Sequence, residues 1–342
     1  MSNTKTGLAT GGYNDDLAKL EEIFLPNFFY KKMQYYFSSS GLISNDVLFV
    51  HYTSTESALD IIREKRVLMH NALHMPDRQE VQDGFDIMDG LLSNENKRWV
   101  EFRNRIEGVL PGVVDRAMKI YSHHSHGRND GTYFLSVLEH DESEKELGRL
   151  SMWRAFCGQS QPVAMVLRIP GLSAASQVLR IFFNPVLYKG KDQQYLELDE
   201  VIKNVENHKS FLERLDPELV ATAIVSMILV NVLCVKHKGF QSEREWRCVY
   251  LPKCFTTETS ARLVEQGVEE QGGVSRNVYK MPLEAAIDPV LSDIDLSKIF
   301  DSLIIGPSKS PYATYEVFCE ELKKIGVSDV ESKVRVTEIP VR

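Results

Sequence analysis

The segment Leu219–Val235 limits the possible folds of this chain more than any other stretch of its sequence. It runs for 17 residues and is almost wholly apolar, with only Thr222, Ser226 and Asn231 as polar exceptions. A membrane-spanning helix needs about 20 consecutive apolar residues, so this segment is too short to be one. Because a helix that is apolar on every side must be surrounded by protein, the segment predicts a helix buried in a large core.

The rest of the chain predicts short strands with helices grouped between them. The strict strand–helix alternation of a doubly wound sheet is missing, which favours an α+β fold. Neither a GxGxxG nor a GxxxxGK[ST] motif is present, so Rossmann and P-loop nucleotide binding have no support. Strands are predicted at Val47–Thr53, Arg66–Asn71, Thr132–Leu138, Val163–Ile169, Gln177–Tyr188, Glu245–Leu251, Val278–Pro282, Leu303–Gly306 and Val334–Ile339.

Helical patterns suggest how the chain is organised around these strands. Residues 1–44 predict an N-terminal helical extension, in which Pro26 breaks an amphipathic pattern. Residues 45–342 predict a single α+β domain. Within this domain, two charged or apolar helical stretches at about residues 77–122 and 192–235 are predicted as insertions between strands.

Charge and cysteine content narrow the expected partners and compartment. The chain of 342 residues carries 40 basic and 48 acidic side chains, a formal charge of −8, which argues against nucleic-acid binding through bulk positive charge. Its five cysteines show neither CxxC nor Cys/His spacing, so no metal site and no disulfide framework is expected. The N-terminus lacks the pattern of a signal peptide. We therefore expect a cytoplasmic protein without a membrane partner.

The stretch 241–247, Gln-Ser-Glu-Arg-Glu-Trp-Arg, contains the best candidates for chemistry. Glu243 and Glu245 lie two residues apart at the predicted start of a strand, so both carboxylates are expected on one face. Two like charges on one face cost free energy unless water, a cation or a substrate compensates them. Such a pair is either a solvated strand end or a pair that stabilises a sugar cation and orients a nucleophile.

Several short motifs occur in a characteristic order along the chain. They are His51-Tyr52-Thr53, Asp77-x-x-Glu80, Tyr133-Phe134-Leu135-Ser136, Met152-Trp153, Phe240-x-x-Glu243-x-Glu245-Trp246-Arg247, Ile304-Ile305-Gly306-Pro307 and Glu338-Ile339-Pro340-Val341-Arg342. With this order, roughly residues 45–342 resemble a widespread bacterial family, domain of unknown function 2971. That family is remotely similar to the ADP-ribosyltransferases.

The resemblance implies a split, mixed or antiparallel β-sheet of the ADP-ribosyltransferase type, with NAD as substrate. In that superfamily a first strand carries His or Arg, a second Ser or Tyr, and a third Glu, often preceded two residues earlier by Gln or Glu. By position these residues are His51, Ser136 and Glu245, with Glu243 preceding. The usual Ser-Thr-Ser triplet is replaced here by Phe-Leu-Ser-Val at residues 134–137.

The same resemblance gives Glu245 and Glu243 catalytic roles. Glu245 is expected to stabilise the ribose oxocarbenium ion that forms as NAD loses nicotinamide. Glu243 is expected to hold the acceptor or to take its proton. The residues expected to bind NAD are His51, Thr53, Ser136, Trp153 and Arg247.

Each of these binding residues also has a structural interpretation. His51 either orients ribose hydroxyls or bonds the backbone, and Ser136 contacts ribose, holds Glu245 or is an ordinary strand serine. Trp153 either stacks on a base or nicotinamide, or packs in the core. Arg149, near Trp153, either meets phosphates or is a solvated helix charge.

The leading hypothesis is an NAD-dependent ADP-ribosyltransferase that acts on an unknown protein or nucleic-acid acceptor, in a bacterial defence or toxin setting. A homo-oligomer is compatible with the sequence. The alternatives are an NAD glycohydrolase with water as acceptor, a non-catalytic ligand-binding module on the same fold, and a metal-dependent nuclease. The nuclease would require Asp77, Glu80, Glu243 and Glu245 to meet around a metal.

Overall fold

The chain has a mixed α/β structure in which one large sheet of parallel and antiparallel strands is flanked by helices. The computed structural model describes residues 10–25, 28–36, 47–74, 78–125, 131–156, 161–170, 173–189, 197–271 and 273–340. Pro26, Asp77 and Arg342, which the sequence motifs include, lie outside the described residues.

Ten of the strands in the described ranges form the large sheet, and two more form a separate parallel pair. The strands are β1 Leu48–Ser54, β2 Arg66–Asn71, β3 Tyr133–His140, β4 Pro162–Leu167, β5 Ile181–Pro185, β6 Leu187–Lys189, β7 Val235–His237, β8 Glu245–Tyr250, β9 Glu265–Gln271, β10 Val274–Pro282, β11 Phe300–Ile305 and β12 Val334–Val336. The order is β12-β11-β4-β1-β3-β2-β10-β9, with β8 and then β5 attached to β3. Strands β11 and β12 are parallel, and the other pairs of this sheet are antiparallel.

The sheet splits along one edge of β3. At one end of β3, residues 138–140 pair with residues 48–50 of β1, and at the other end residues 133–134 pair with residues 70–71 of β2. On the opposite edge, β8 pairs without interruption with residues 133–138. Among the described strands, residues 135–137 thus have a ladder partner on the β8 edge only. Strands β1 and β2 diverge there, and the gap between them opens beside Ser136.

Alternation along β3 assigns the side chains near this split to two faces of the sheet. Phe134, Ser136 and Leu138 lie on what we call the front face, and Tyr133 and Val137 lie on the back face. The front face is covered mainly by helices of the two predicted insertions. The back face packs against helices that follow β1, β4 and β11.

The helices in the described ranges group into these two layers. They are α1 Thr10–Phe24, α2 Phe28–Tyr36, α3 Thr55–Glu64, α4 Arg78–Leu91, α5 Lys97–Val109, α6 Val113–Ser125, α7 Leu150–Phe156, α8 Ala174–Leu179, α9 Leu198–Asn207, α10 Lys209–Leu212, α11 Pro217–Leu233, α12 Pro252–Phe255, α13 Glu258–Leu263, α14 Leu296–Ile299, α15 Pro311–Lys324 and α16 Val330–Lys333. Helices α1, α4, α6 and α11 meet in the front layer, whereas α3 and α15 meet on the back.

The apolar segment forms the centre of the front layer, as its composition predicts. Helix α11 begins at a capping Asp216, whose carboxylate accepts the backbone N–H of Glu218, and it ends before Val235 enters β7. Eleven of its residues are buried, on all sides of the helix, and α1, α4 and α6 pack around it. Among the described residues, no helix combines the length and apolar character needed to cross a membrane.

Two differences from the predicted strands have a clear physical reason. The predicted strand Gln177–Tyr188 begins too early, because Ser173 and Ser176 form a capping box that starts α8, and the strand follows only after Arg180. Strand β9 was not predicted at all. It carries Glu265, Glu269 and Glu270 at the end of the sheet, where a strand needs no apolar alternation because little of it is buried.

The two helices of the predicted N-terminal extension contact both faces of the sheet region. Leu20 and Ile23 of α1 pack into the front core. Tyr36 of α2 lies edge-on to Trp246 on the back face, with 5.2 Å between ring centroids. Lys32 of α2 forms an ion pair of 2.5 Å with Glu139 of β3. The extension is thus anchored to the strands that border the split.

Candidate active site

Glu245 occupies the first position of β8, on the front face and next to the split. Its side chain is 3% exposed. The Ser136 hydroxyl donates a hydrogen bond of 2.6 Å to Oε1, and Nε of Arg247 donates one of 2.8 Å to the same oxygen. Nζ of Lys236 lies 3.1 Å from Oε2, as an ion pair without good hydrogen-bond geometry. The carboxylate is therefore held from both sides by polar groups.

The register of β3 and β8 explains why these side chains meet. Ser136 pairs with Arg247, and Leu138 pairs with Glu245. Residues directly opposite in an antiparallel pair share a face, and so do residues two apart in one strand. Ser136, Glu245 and Arg247 consequently point to the same side of the sheet. We refer to these three residues with Lys236 and Glu243 as the Glu245 cluster.

The electrostatics of the cluster keep Glu245 ionised. Burial on its own raises the pKa of this carboxyl group, but the positive charges of Arg247 and Lys236 and the hydrogen bonds from Arg247 and Ser136 outweigh it and lower the pKa to about 2. Arg247 is itself 1% exposed and donates a second hydrogen bond, of 2.6 Å, to the carbonyl of Leu233. Its guanidinium is thus engaged inside the protein, and a contact with NAD stays a prediction.

Glu243 does not lie in the strand, so the alternation argument was wrong for this residue. It ends a 3₁₀ helix, Lys238–Glu243, and Arg244 then adopts a left-handed conformation with φ of 52° before β8 begins. The two carboxylates nevertheless converge, because Oε2 of Glu243 accepts a hydrogen bond of 2.8 Å from Lys236. The Glu243 side chain is 25% exposed and is the more accessible of the two.

Lys236 is the cation that lies between the two carboxylates, and it is not among the residues predicted for the site. It lies in β7, directly after the long apolar helix, and its side chain is 5% exposed. Its ammonium group also lies 5.1 Å from the centre of the Phe240 ring. The sequence does contain a pattern that indicates this role, because Lys236 directly follows the long apolar segment. A lysine that is buried next to such a segment needs an acidic partner.

Arg149 fixes the segment that carries Glu243. Its guanidinium donates to the carbonyls of Ser242 and Glu243 and, at 2.7 Å, to that of Glu139, and it pairs with Glu144 at 2.8 Å. The alternative in which Arg149 is a solvated helix charge is therefore wrong. Arg149 precedes α7 and is buried because it ties the end of β3 to the turn before β8.

Replacement of Arg149 by alanine is expected to lower the free energy of unfolding by about 3 kcal/mol, because several buried carbonyls and a carboxylate lose their donors together. Urea denaturation at pH 7 measures the change. Arg154→Ala is the matched control, since Arg154 is exposed on α7, and its effect should stay within about 0.5 kcal/mol. Equal effects of the two substitutions would contradict a clamping role for Arg149.

His51 and Thr53 lie on the back face, away from the Glu245 carboxylate. The His51 ring reaches the gap in the sheet, where Nδ1 lies 3.1 Å from the backbone carbonyl of Ser136. Burial lowers the pKa of His51, partly opposed by this hydrogen bond, and the nearby His70 lowers it further. Thr53 is half-buried in β1, opposite Val163. The sheet thus separates these two residues from the carboxylates, and their contacts with NAD stay predictions.

Trp153 is a core residue in this structure. It is 1% exposed, its indole N–H donates a hydrogen bond of 2.7 Å to the carbonyl of Leu147, and its ring meets Tyr52 edge-on at 4.9 Å. A Cβ atom at Gly148 or Gly306 would lie 2.5 or 2.9 Å from the ring, so both positions require the absence of a side chain. The geometry favours the packing interpretation of Trp153 over stacking on a ligand.

A family model matches part of the chain. Residues 152–248 match the family model described as "Protein of unknown function (DUF2971)". This match supports the predicted resemblance of the chain to the DUF2971 family. The matched region contains Trp153, Lys236, Glu243, Glu245 and Arg247, and it begins after β3. No curated protein and no solved structure matches the chain significantly.

Proposed function

We propose that this chain is an ADP-ribosyltransferase-like enzyme that breaks the nicotinamide–ribose bond of NAD and transfers ADP-ribose to a protein or nucleic-acid acceptor. The observation that supports this most is the hydrogen bond of 2.6 Å from Ser136 to Glu245 beside the split in the sheet. It joins, in space, two residues that the remote resemblance pairs in one site. The alternative in which Ser136 holds Glu245 in place agrees with this contact.

The proposed chemistry depends on a carboxylate that is charged before the reaction begins. As the bond between nicotinamide and ribose breaks, its electron pair leaves with nicotinamide and positive charge develops on the ribose. A fixed negative charge near that carbon stabilises the transition state more than the neutral ribose of the substrate. Glu245 has a pKa of about 2 and is therefore ionised at neutral pH without any proton transfer.

Lys236 has to be moved for this role. Its ammonium lies 3.1 Å from Glu245 and occupies one side of the carboxylate that a ribosyl cation would need. It is closer to Glu243, at 2.8 Å. In the proposed reaction Lys236 stays with Glu243 and turns from Glu245 when substrate enters. Glu243, the more exposed carboxylate, then orients the acceptor or takes its proton.

A non-catalytic ligand-binding module is the second candidate, and a specific observation favours it. Arg247, Lys236 and Ser136 already compensate Glu245, whose side chain is 3% exposed. A carboxylate bound in this way is also what a purely structural ion-pair network contains. A glycohydrolase would use the same cluster with water as the acceptor.

The nuclease alternative gains nothing from the described residues. Asp77 and the side chain of Glu80 lie outside the described part of the chain. Within that part, no group of three or more His, Cys, Asp or Glu side chains has the geometry of a metal site.

Nicotinamide release from NAD tests the proposal directly. The full-length protein is incubated with NAD in buffer and in a bacterial lysate, and nicotinamide is quantified by chromatography. Release in buffer indicates hydrolysis by water, whereas release only in lysate indicates transfer to an acceptor that the lysate supplies. Absence of release in both, from a folded protein that binds NAD in a calorimetric titration, would replace the transferase proposal with the binding module.

A further inference from the structure

The back face of the sheet contains an apolar cavity that the Glu245 cluster does not use. The volume open to a water-sized molecule is about 90 Å³, within about 800 Å³ of space that includes open solvent, between the sheet and the segments around α8 and α14. Its walls consist largely of aliphatic and aromatic carbon, contributed among others by Leu135, Val137, Met165, Leu167, Phe183 and Ile299. A concave, mostly apolar space with a few polar groups is the usual form of a small-molecule site.

The residues that line the cavity restrict the charge of any ligand. Among the described lining residues there is no Lys, Arg, Asp or Glu, and the polar side chains are those of His51, Ser173 and Ser176 and the weakly polar thiol of Cys248. At the start of α8 each of the two hydroxyl oxygens accepts a hydrogen bond from the backbone N–H of the other serine, and the Ser176 hydroxyl donates to the Ser173 carbonyl, so both oxygens are engaged in the helix cap. A diphosphate or carboxylate in this space would lose its hydration without gaining a counter-charge, which is costly. The cavity therefore suits an uncharged molecule and does not suit NAD.

Among the described lining residues, His51 is the polar group with a ring nitrogen that can accept a hydrogen bond. The Ser136 carbonyl accepts a hydrogen bond and cannot donate one, so the contact of 3.1 Å places the ring proton on Nδ1. Burial lowers the pKa of His51, which favours the neutral ring. In a neutral ring protonated at Nδ1, Nε2 is an acceptor. At the split in the sheet the Ser136 carbonyl has no partner among the described strands on the β1 and β2 side, and it accepts the hydrogen bond from His51 instead. The split therefore determines that Nε2, the other ring nitrogen, is an acceptor.

We propose that this cavity binds an uncharged, mainly apolar small molecule with one hydroxyl or amide N–H group, which donates a hydrogen bond to Nε2 of His51. The site lies on the opposite face of the sheet from Glu245 and does not depend on NAD cleavage. It assigns to His51 a ligand other than NAD.

Displacement of a neutral dye tests the site with the full chain. Nile red should bind with a saturable rise in fluorescence at one dye per protein. 1-Nonanol should displace it at about three- to tenfold lower concentration than methyl octyl ether, the fold-change expected for one net hydrogen bond. The two probes have the same number of heavy atoms, and a purely apolar cavity would prefer the ether. Nonanoate and NAD should displace the dye poorly.

Matched variants test whether dye binding and the preference for the alcohol arise in this cavity. His51→Phe should keep dye binding and lose the preference for the alcohol. Leu167→Trp fills the cavity and should weaken dye binding at least about tenfold, whereas Leu48→Trp, a half-buried position on the front face of β1, should leave it unchanged. Absence of saturable dye binding, equal displacement by alcohol and ether, or displacement by NAD would each overturn the proposal.

Discussion

Glu245→Gln is expected to lower the rate of nicotinamide release from NAD at least about 100-fold. Removal of one group that stabilises transition-state charge typically costs this much or more. Glutamine keeps the size of the side chain and can still accept the hydrogen bond from Ser136, but it carries no charge to oppose a ribosyl cation. The measurement is initial nicotinamide release, with circular dichroism and thermal unfolding to confirm that the variant is folded.

Two further variants serve as controls for the loss of a carboxylate and for the loss of the hydrogen bond to Glu245. Glu142→Gln removes a carboxylate that is 82% exposed and should leave the rate unchanged. Ser136→Ala keeps the charge of Glu245 but removes the hydrogen bond of 2.6 Å, so a smaller loss, of about tenfold, is expected. A folded Glu245→Gln variant with the wild-type rate would exclude Glu245 as the catalytic carboxylate, even if the protein does cleave NAD.

Short-range patterns carried most of the information about the fold. The composition of Leu219–Val235 predicts a helix buried on all sides, and α11 has this property because no other environment accepts such a surface. Alternation and β-branched content predict β1, β2, β3 and β8 to within a few residues. The acidic strand β9 carries no such pattern, since its position at the end of the sheet removes the requirement for an apolar face.

The candidate site could be predicted only in part, because some of its contacts depend on residues that are distant in sequence. Ser136 and Glu245 were assigned to one site by the remote resemblance that the motif order suggests, and the structure places them on paired strands. Lys236 was not predicted, and the clamping role of Arg149 was not among its two interpretations, because the partners of both residues are set by tertiary packing, which no local pattern reports. The left-handed conformation of Arg244 also has no clear local signal, yet it removes Glu243 from the strand.

The predicted binding residues lie on two faces of the sheet, and this division also depends on tertiary structure that local sequence patterns do not report. His51 and Ser136 are both assigned to the site by motif, but their faces depend on where β1 leaves β3. Ladder pairing stops after Val50, so the His51 side chain meets the backbone of Ser136 and not its hydroxyl. A register that differs by one residue would exchange the two faces, and sequence patterns are least reliable at this level of detail.

Arg247→Met is expected to lower the free energy of unfolding at pH 7 by about 3–5 kcal/mol. The substitution leaves the buried carboxylate of Glu245 without its main counter-charge and the Leu233 carbonyl without its donor. Urea denaturation measures the change. The double variant Arg247→Met/Glu245→Gln should recover part of the loss, because the uncompensated charge is removed while Lys236 keeps Glu243 as a partner. No recovery in the double variant would contradict the electrostatic explanation and indicate a packing defect.

The pH dependence of stability provides a second, independent test of the same pair. The folded-state pKa of Glu245, about 2, lies below its unfolded value of 4.5, so its stabilisation is fully present above pH 4.5 and is lost as the pH falls towards 2. The difference corresponds to about 3 kcal/mol. Without Arg247 the folded-state pKa rises, and the variant should lose less stability than the wild type between pH 5 and pH 3. Urea denaturation of both proteins at pH 5 and at pH 3 measures the two losses of stability. Parallel losses in the two proteins would show that Arg247 does not set the charge state of Glu245, and the proposed preformed carboxylate would then lack its physical basis.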